Sequence, residues 1–206
     1  MDPLEPVTST YRSAAFCFAD LVARIPEDGW ANAGLGVWDL RALVGHAGRA
    51  LSTVTAYLRQ PATSEAVTSP EGYFALVGRA TQSSSPDAVA ERGRQAGRQL
   101  GADPAAAIMV LVEESLHALE NSGDALIETI AGGMYLRNYL PTRTFELAVH
   151  SLDTAAAAKV AVTMPAQVLL EVTGLAARIA VDRGDGVSIL TALTGRRRLP
   201  DGFTVV

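Results

Sequence analysis

The chain holds three histidines, and their neighbours set them apart. His150 follows Glu146 by four residues inside RTFELAVHSLDTAAAAKV, a segment with a strong helical pattern. That spacing puts a carboxylate and an imidazole on one helix face, roughly 6 Å apart at Cβ, so both can converge on one ion. Phe145, Leu147, Ala148 and Val149 surround Glu146, and an acid and an imidazole facing an apolar interior pay for desolvation unless paired or metal-bound. His46 lies mid-helix in a second segment, with Ala42, Leu43, Arg49 and Ala50 one turn away on either side. His46, Glu146 and His150 on one divalent cation would leave about one net positive charge and an unfilled position, as in catalytic rather than structural sites. Zinc suits these donors, and iron or nickel accept them too. An acid–histidine pair at this spacing also stabilises a helix surface without any ion, so spacing alone leaves both readings open. His117, in EESLHALE, sits among Glu113, Glu114 and Glu120 and reads as a solvated helix face rather than a fourth ligand.

The elements that must position these groups are mostly helical. Apolar residues recur at helical spacing over residues 9–25, with Phe16, Leu21, Val22 and Ile25 as the stripe, Thr8 or Ser9 as cap and Pro26 as stop. Cys17 falls in this segment and reads as a buried, inert thiol. Residues 27–36 read as a loop. A second helix opens around Val37, Trp38 and Asp39 and must end before Pro61. A loop to Pro70 precedes the short helical pattern EGYFALVGRA, and a break over residues 83–86 caps a long helix interrupted near Gly101 to Pro104 and ending near Asn121. The β-branched residues of 125–130 suggest a short strand or extended crossover. Pro141 is expected at the entry of the helix that carries Glu146 and His150. Residues 164–181 form a further amphipathic helix, residues 185–196 a short one ending at Gly195, and LPDGFTVV an extended tail. Four or five long helices joined by long loops predict an all-α chain, a helix bundle with a crossover connection.

Composition narrows the partners. The chain of 206 residues has 49% hydrophobic and 19% charged residues, enough to build one core. Its net charge of −5 argues against nucleic acid as the main partner. The one basic run, Arg196 to Arg198, reads as a solvated helix end. Cys17 is the only cysteine, which excludes an internal disulfide and suits a reducing cytoplasm. No apolar run reaches the length of a membrane span, and MDPLEPVTS has no signal-peptide pattern. The apolar face from Val168 to Leu175 is expected either to cover the bundle or to form a homodimer contact.

Two runs carry a family resemblance. GVWDLRALVGHAGRAL resembles the second-helix signature of the DinB-like superfamily, in particular the mycothiol-dependent maleylpyruvate isomerase N-terminal domain family. YLRNYLPTRTFELAVHSLDTAAA resembles the fourth-helix signature of the same family. The similarity covers residues 5–160, and ILTALTGRRRLPDGF resembles short C-terminal extensions of some members. The resemblance implies a DinB-like four-helix bundle over residues 1–160 with a short helical extension, 161–206, packed on it. It also implies a metal site made by one histidine of the second helix and the E-x-x-x-H pair, here His46, Glu146 and His150. The isomerase proper carries a larger C-terminal domain that helps form its substrate site, so maleylpyruvate isomerisation itself is not the first expectation. The expected activity is metal-dependent activation of a low-molecular-weight thiol, mycothiol by resemblance, toward a small electrophile. Arg49 and Arg143 are candidates to hold an anionic substrate or the thiol's polar groups, each with a structural ion pair as its alternative. Asp153, three residues past His150, is a candidate to orient an imidazole N–H. A non-catalytic metal-binding protein and a metal-activated hydrolase share the same three ligands.

Overall fold

A computed structural model describes residues 4–82 and 85–206; Ser83 and Ser84, within the expected break, lie outside the described residues. Eight α-helices are present among them: α1 Glu5–Ala23, α2 Leu40–Leu58, α3 Pro70–Gln82, α4 Pro86–Gln99, α5 Pro104–Leu119, α6 Leu136–Ala158, α7 Ala166–Asp182 and α8 Gly186–Leu193. A two-stranded antiparallel hairpin, β1 Leu126–Thr129 and β2 Gly132–Tyr135, sits between α5 and α6. Short polar side chains start four of the helices. Asp39 accepts from the Ala42 N–H at 2.7 Å, Ser69 from Gly72 at 3.1 Å, Ser85 from Ala88 at 3.2 Å and Asp103 from Ala106 at 3.0 Å. Each meets a backbone donor that the helix itself leaves unpaired.

Four helices close a ring: α1 packs on α6, α6 on α2, α2 on α5 and α5 back on α1. Successive members α1 and α2, and again α5 and α6, are not principal neighbours, so these connections cross the bundle. This is the all-α, DinB-like bundle with crossover connections that the sequence predicts. The core within the ring includes Tyr11, Phe18, Leu43, Leu51, Ile108, Leu140 and Leu147. Outside it, α4 lies along α2, α3 packs on α6 and α7, and α7 packs on α6 and α1, while α8 packs on α7. Val168, Val172 and Leu175 are buried in these contacts, so the apolar face of α7 covers the bundle. No helix among the described residues is long and apolar enough to cross a membrane.

Several local expectations are corrected. The first helix begins at Glu5, with Pro6 in its first turn and no side-chain cap, rather than at Thr8 or Ser9. Its buried face is Tyr11, Ala14, Ala15, Phe18, Leu21 and Val22; Phe16 falls out of phase and is 45% exposed. Cys17 is half-buried rather than buried, its Sγ 3.7 Å from the Thr163 carbonyl, and burial together with Asp20 pushes the thiol pKa up. The second helix opens where expected, with Asp39 as its cap and Leu40 as its first residue. Pro141 lies inside α6 rather than at its entry. The helix starts upstream because Asp124 accepts the Arg137 N–H at 3.0 Å and pairs with the Arg137 guanidinium, a partner remote in sequence. Residues 132–135 pair with β1, where only one strand was expected. The C-terminal tail is not extended throughout, because a turn at Asp201 and Gly202 brings the Phe203 N–H to the Pro200 carbonyl at 3.1 Å.

Candidate metal centre

His46 projects from α2 and Glu146 and His150 from α6, two neighbours in the ring. One donor atom from each can be chosen so that all three lie within 4.8 Å of one another, and all three residues are half-buried. The His46 and His150 rings stand edge to face, 5.0 Å between centroids. His150 Nε2 faces Glu146 Oε2 at 3.4 Å, and its Nδ1 faces Asp153 Oδ2 at 3.0 Å. Asp153 therefore sits where it can accept from Nδ1–H and leave Nε2 turned toward Glu146 and His46. His117 is elsewhere, on an exposed stretch of α5 against Glu120, as the sequence suggests.

His46 is seated by α4. Trp38, just ahead of α2, lies against the His46 ring at 4.6 Å and donates its indole N–H to the Ala90 carbonyl at 2.9 Å. Gly93 makes room for that indole, since a Cβ there would fall 2.4 Å from a Trp38 ring carbon. Gly45, next to His46, lets α2 and α4 meet backbone to backbone: its Cβ would lie 2.3 Å from the Gly97 nitrogen. The close approach holds α2, and with it His46, tightly against α4.

The electrostatics suit a cation. Burial, then the nearby His150, lowers the His46 pKa to about 4, so its lone pair is free at neutral pH. Burial alone would raise the Glu146 carboxyl, but the hydrogen bond with His150 and the charge of Arg143 outweigh it and hold the group ionised below the usual carboxylate range. Burial works against a charged His150, yet Glu146 and then Asp153 raise its pKa above the ordinary value. Two imidazole nitrogens and a carboxylate oxygen, one imidazole already neutral, form a donor set that fits a divalent ion.

Beside these groups a cavity of about 340 Å³ opens between α2, α3, α4 and α6. Arg49, Arg92 and Arg143 line it with His46 and Glu146. Arg143 is buried, with its guanidinium carbon 4.9 Å from the Tyr139 ring centroid and 5.2 Å from that of Tyr73. Its Nε donates to Thr142 Oγ1 at 3.0 Å. Among the described residues none of the three arginines forms an ion pair with a carboxylate, so the structural ion pair considered for Arg49 and Arg143 is absent. Tyr73, Phe74 and Arg92 were not singled out from the sequence. EGYFALVGRA shows a helix, but nothing in it says that its aromatic pair lies over Glu146.

The sequence model of the mycothiol maleylpyruvate isomerase N-terminal domain family matches residues 11–155. The chain belongs to that family. The match runs from Tyr11 in α1 through α2 and α5 to the last turn of α6, and includes Trp38, His46, Glu146, His150 and Asp153. No curated protein and no solved structure matches the chain.

Proposed function

We propose that this family member is a metal-dependent enzyme that uses a low-molecular-weight thiol, mycothiol, against a small electrophile. The observation that carries the reading is the convergence of His46, Glu146 and His150 from two helices at the edge of an arginine-lined cavity. These three residues would hold the cation, with zinc the best match to the donors and iron or nickel compatible with them. When bound, the cation would supply positive charge that favours the ionised form of a thiol at neutral pH.

The chain's own groups do the rest. Asp153 accepts from His150 Nδ1–H and holds the ring in one tautomer. Arg143 keeps its charge without a carboxylate partner, held against two tyrosine faces, and Arg49 stands at the rim of the same cavity. Both can bind an anionic group of the electrophile or a polar group of the thiol. Tyr73 and Phe74 give the cavity an apolar wall that limits water around the reacting atoms. The single cysteine, which permits no internal disulfide, agrees with work in a reducing cytoplasm.

The test is thiol consumption with generic electrophiles, comparing the zinc-loaded protein with His150→Ala. Consumption by the wild type, reduced at least a hundredfold in the variant, supports the reading. Tight zinc binding without thiol consumption would point instead to a non-catalytic metal protein, and ester hydrolysis without thiol use to a hydrolase.

A further inference from the structure

Glu146 borders two cavities rather than one. The first is the arginine-lined cavity of about 340 Å³ described above. The second, about 640 Å³, lies on the other side of α3, between α3, α7 and residues 204–206. Phe74 and Val77, one turn apart on α3, are in the lining of both, so α3 is the partition and Glu146 the point where the two spaces meet.

Their chemistry differs. The smaller cavity brings together Arg49, Arg92 and Arg143 against the single carboxylate of Glu146, a cationic excess backed by Tyr73 and Phe74. Such a surface suits a compact molecule that carries a carboxylate on an apolar body. The larger cavity mixes its charges with a slight acidic excess, Glu71, Glu146 and Asp182 against Arg79 and Arg183, and Glu71 is already engaged by Arg178 at 3.4 Å. Donors and acceptors side by side suit hydroxyl groups, each of which both donates and accepts. They do not suit a small anion, which would meet Glu71 and Asp182 as it entered. Mycothiol is a cysteine joined to an amino-sugar and a cyclitol, bulky and rich in hydroxyls.

We infer that the two reactants reach Glu146 from opposite sides of α3, a carboxylate-bearing electrophile through the arginine-lined cavity and the hydroxyl-rich body of the thiol through the larger one. The inference rests on the reading of Glu146 as part of a thiol-using centre. The partition lets both reactants be bound at once, with the thiol sulfur and the electrophilic carbon brought together only beside Glu146.

Two probes that cannot react separate the cavities. Succinate stands for the electrophile, and N-acetylglucosaminyl-inositol, which lacks the thiol, stands for the body of mycothiol. Each is titrated by NMR into the chelator-treated protein, alone and with the other at saturation, while zinc affinity is measured in parallel. Both are expected to bind together, each Kd changing less than twofold when the other is present. Arg92→Ala should weaken succinate at least fivefold and leave the pseudodisaccharide within twofold; Asp182→Ala should do the reverse. Arg92 and Asp182 are exposed, so neither change disturbs the core. Competition between the probes, equal weakening of both by one variant, or failure of either to bind would overturn the division. Zinc binding that survives such a failure leaves the metal centre standing without the two entrances. Separate probe sites in a protein that takes up no zinc at the triad would leave the entrances without the thiol chemistry.

Discussion

His117 and His150 have almost the same local surroundings and different prospects. Each has an acid three residues further along its helix, with Nδ1 facing Glu120 at 3.1 Å in one case and Asp153 at 3.0 Å in the other. The His117 side chain is 83% exposed and the His150 side chain 13%. At His117 the pair is a surface contact of small worth in water. Each histidine also follows a glutamate by four residues, Glu113 in α5 and Glu146 in α6, but of the two only His150 meets a second histidine, His46 of the neighbouring helix. The local pair is therefore common to both positions, and the site comes from what the bundle packs against it.

The largest expected effect tests that contrast directly. His46→Ala or His150→Ala should lower zinc affinity at least a thousandfold by calorimetry, while His117→Ala leaves it within twofold. Equal losses at all three positions would erase the distinction. Next come the orienting acids. Asp153→Asn should cost about 10–100-fold in zinc affinity, and Glu120→Gln should cost nothing measurable in the same titration.

The contrast also predicts a pH dependence for the metal-free fold. His46 has a folded pKa of about 4, below its ordinary value of 6.5, so the unfolded chain binds more protons between those values. Its contribution to stability is present above pH 6.5 and is lost as the pH falls toward 4, up to about 3 kcal/mol by the size of the shift. His150 works in the opposite sense, because its folded pKa is raised. Its contribution is full below the ordinary histidine value and disappears as the pH rises through the folded one. Urea unfolding from pH 4 to 8 should show the acid-side loss in the wild type and a flatter profile in His46→Asn. An unchanged acid side in that variant would remove His46 from the account.

The smallest effect concerns how the two helices end. α5 ends on Glu120 in an ordinary right-handed conformation, whereas α6 ends on Lys159 at φ 56°, exposed and left-handed. Lys159→Gly should stabilise the protein by about 1 kcal/mol in thermal unfolding, since glycine adopts that conformation without a Cβ clash. No gain there would mean that Lys159 has a favourable role at the end of α6.

Much of this was legible in the sequence. The i, i+4 pair of Glu146 and His150, the second-helix placement of His46 and the solvated character of His117 follow from helical spacing and neighbours; a helix bundle follows from the apolar periodicity, and its four-helix plan from the family resemblance. What was not legible depended on contacts remote in sequence. Asp124 starts α6 ahead of Pro141, so the proline sits inside the helix it was expected to open. Residues 132–135 become a strand because β1 and the chain after α2 offer partners: Ala66 and Val67 both donate to the Gly133 carbonyl. Tyr73 and Phe74 join the site through the packing of α3 on α6, which no periodicity within α3 encodes.

The proposed function stands on His46, Glu146 and His150 holding one cation together. Anomalous diffraction from crystals of the zinc-loaded protein, collected on both sides of the zinc edge, tests it most directly. One strong peak is expected, bonded to an imidazole nitrogen of His46, a carboxylate oxygen of Glu146 and an imidazole nitrogen of His150, and none at His117. Zinc bound elsewhere with that position vacant would contradict it.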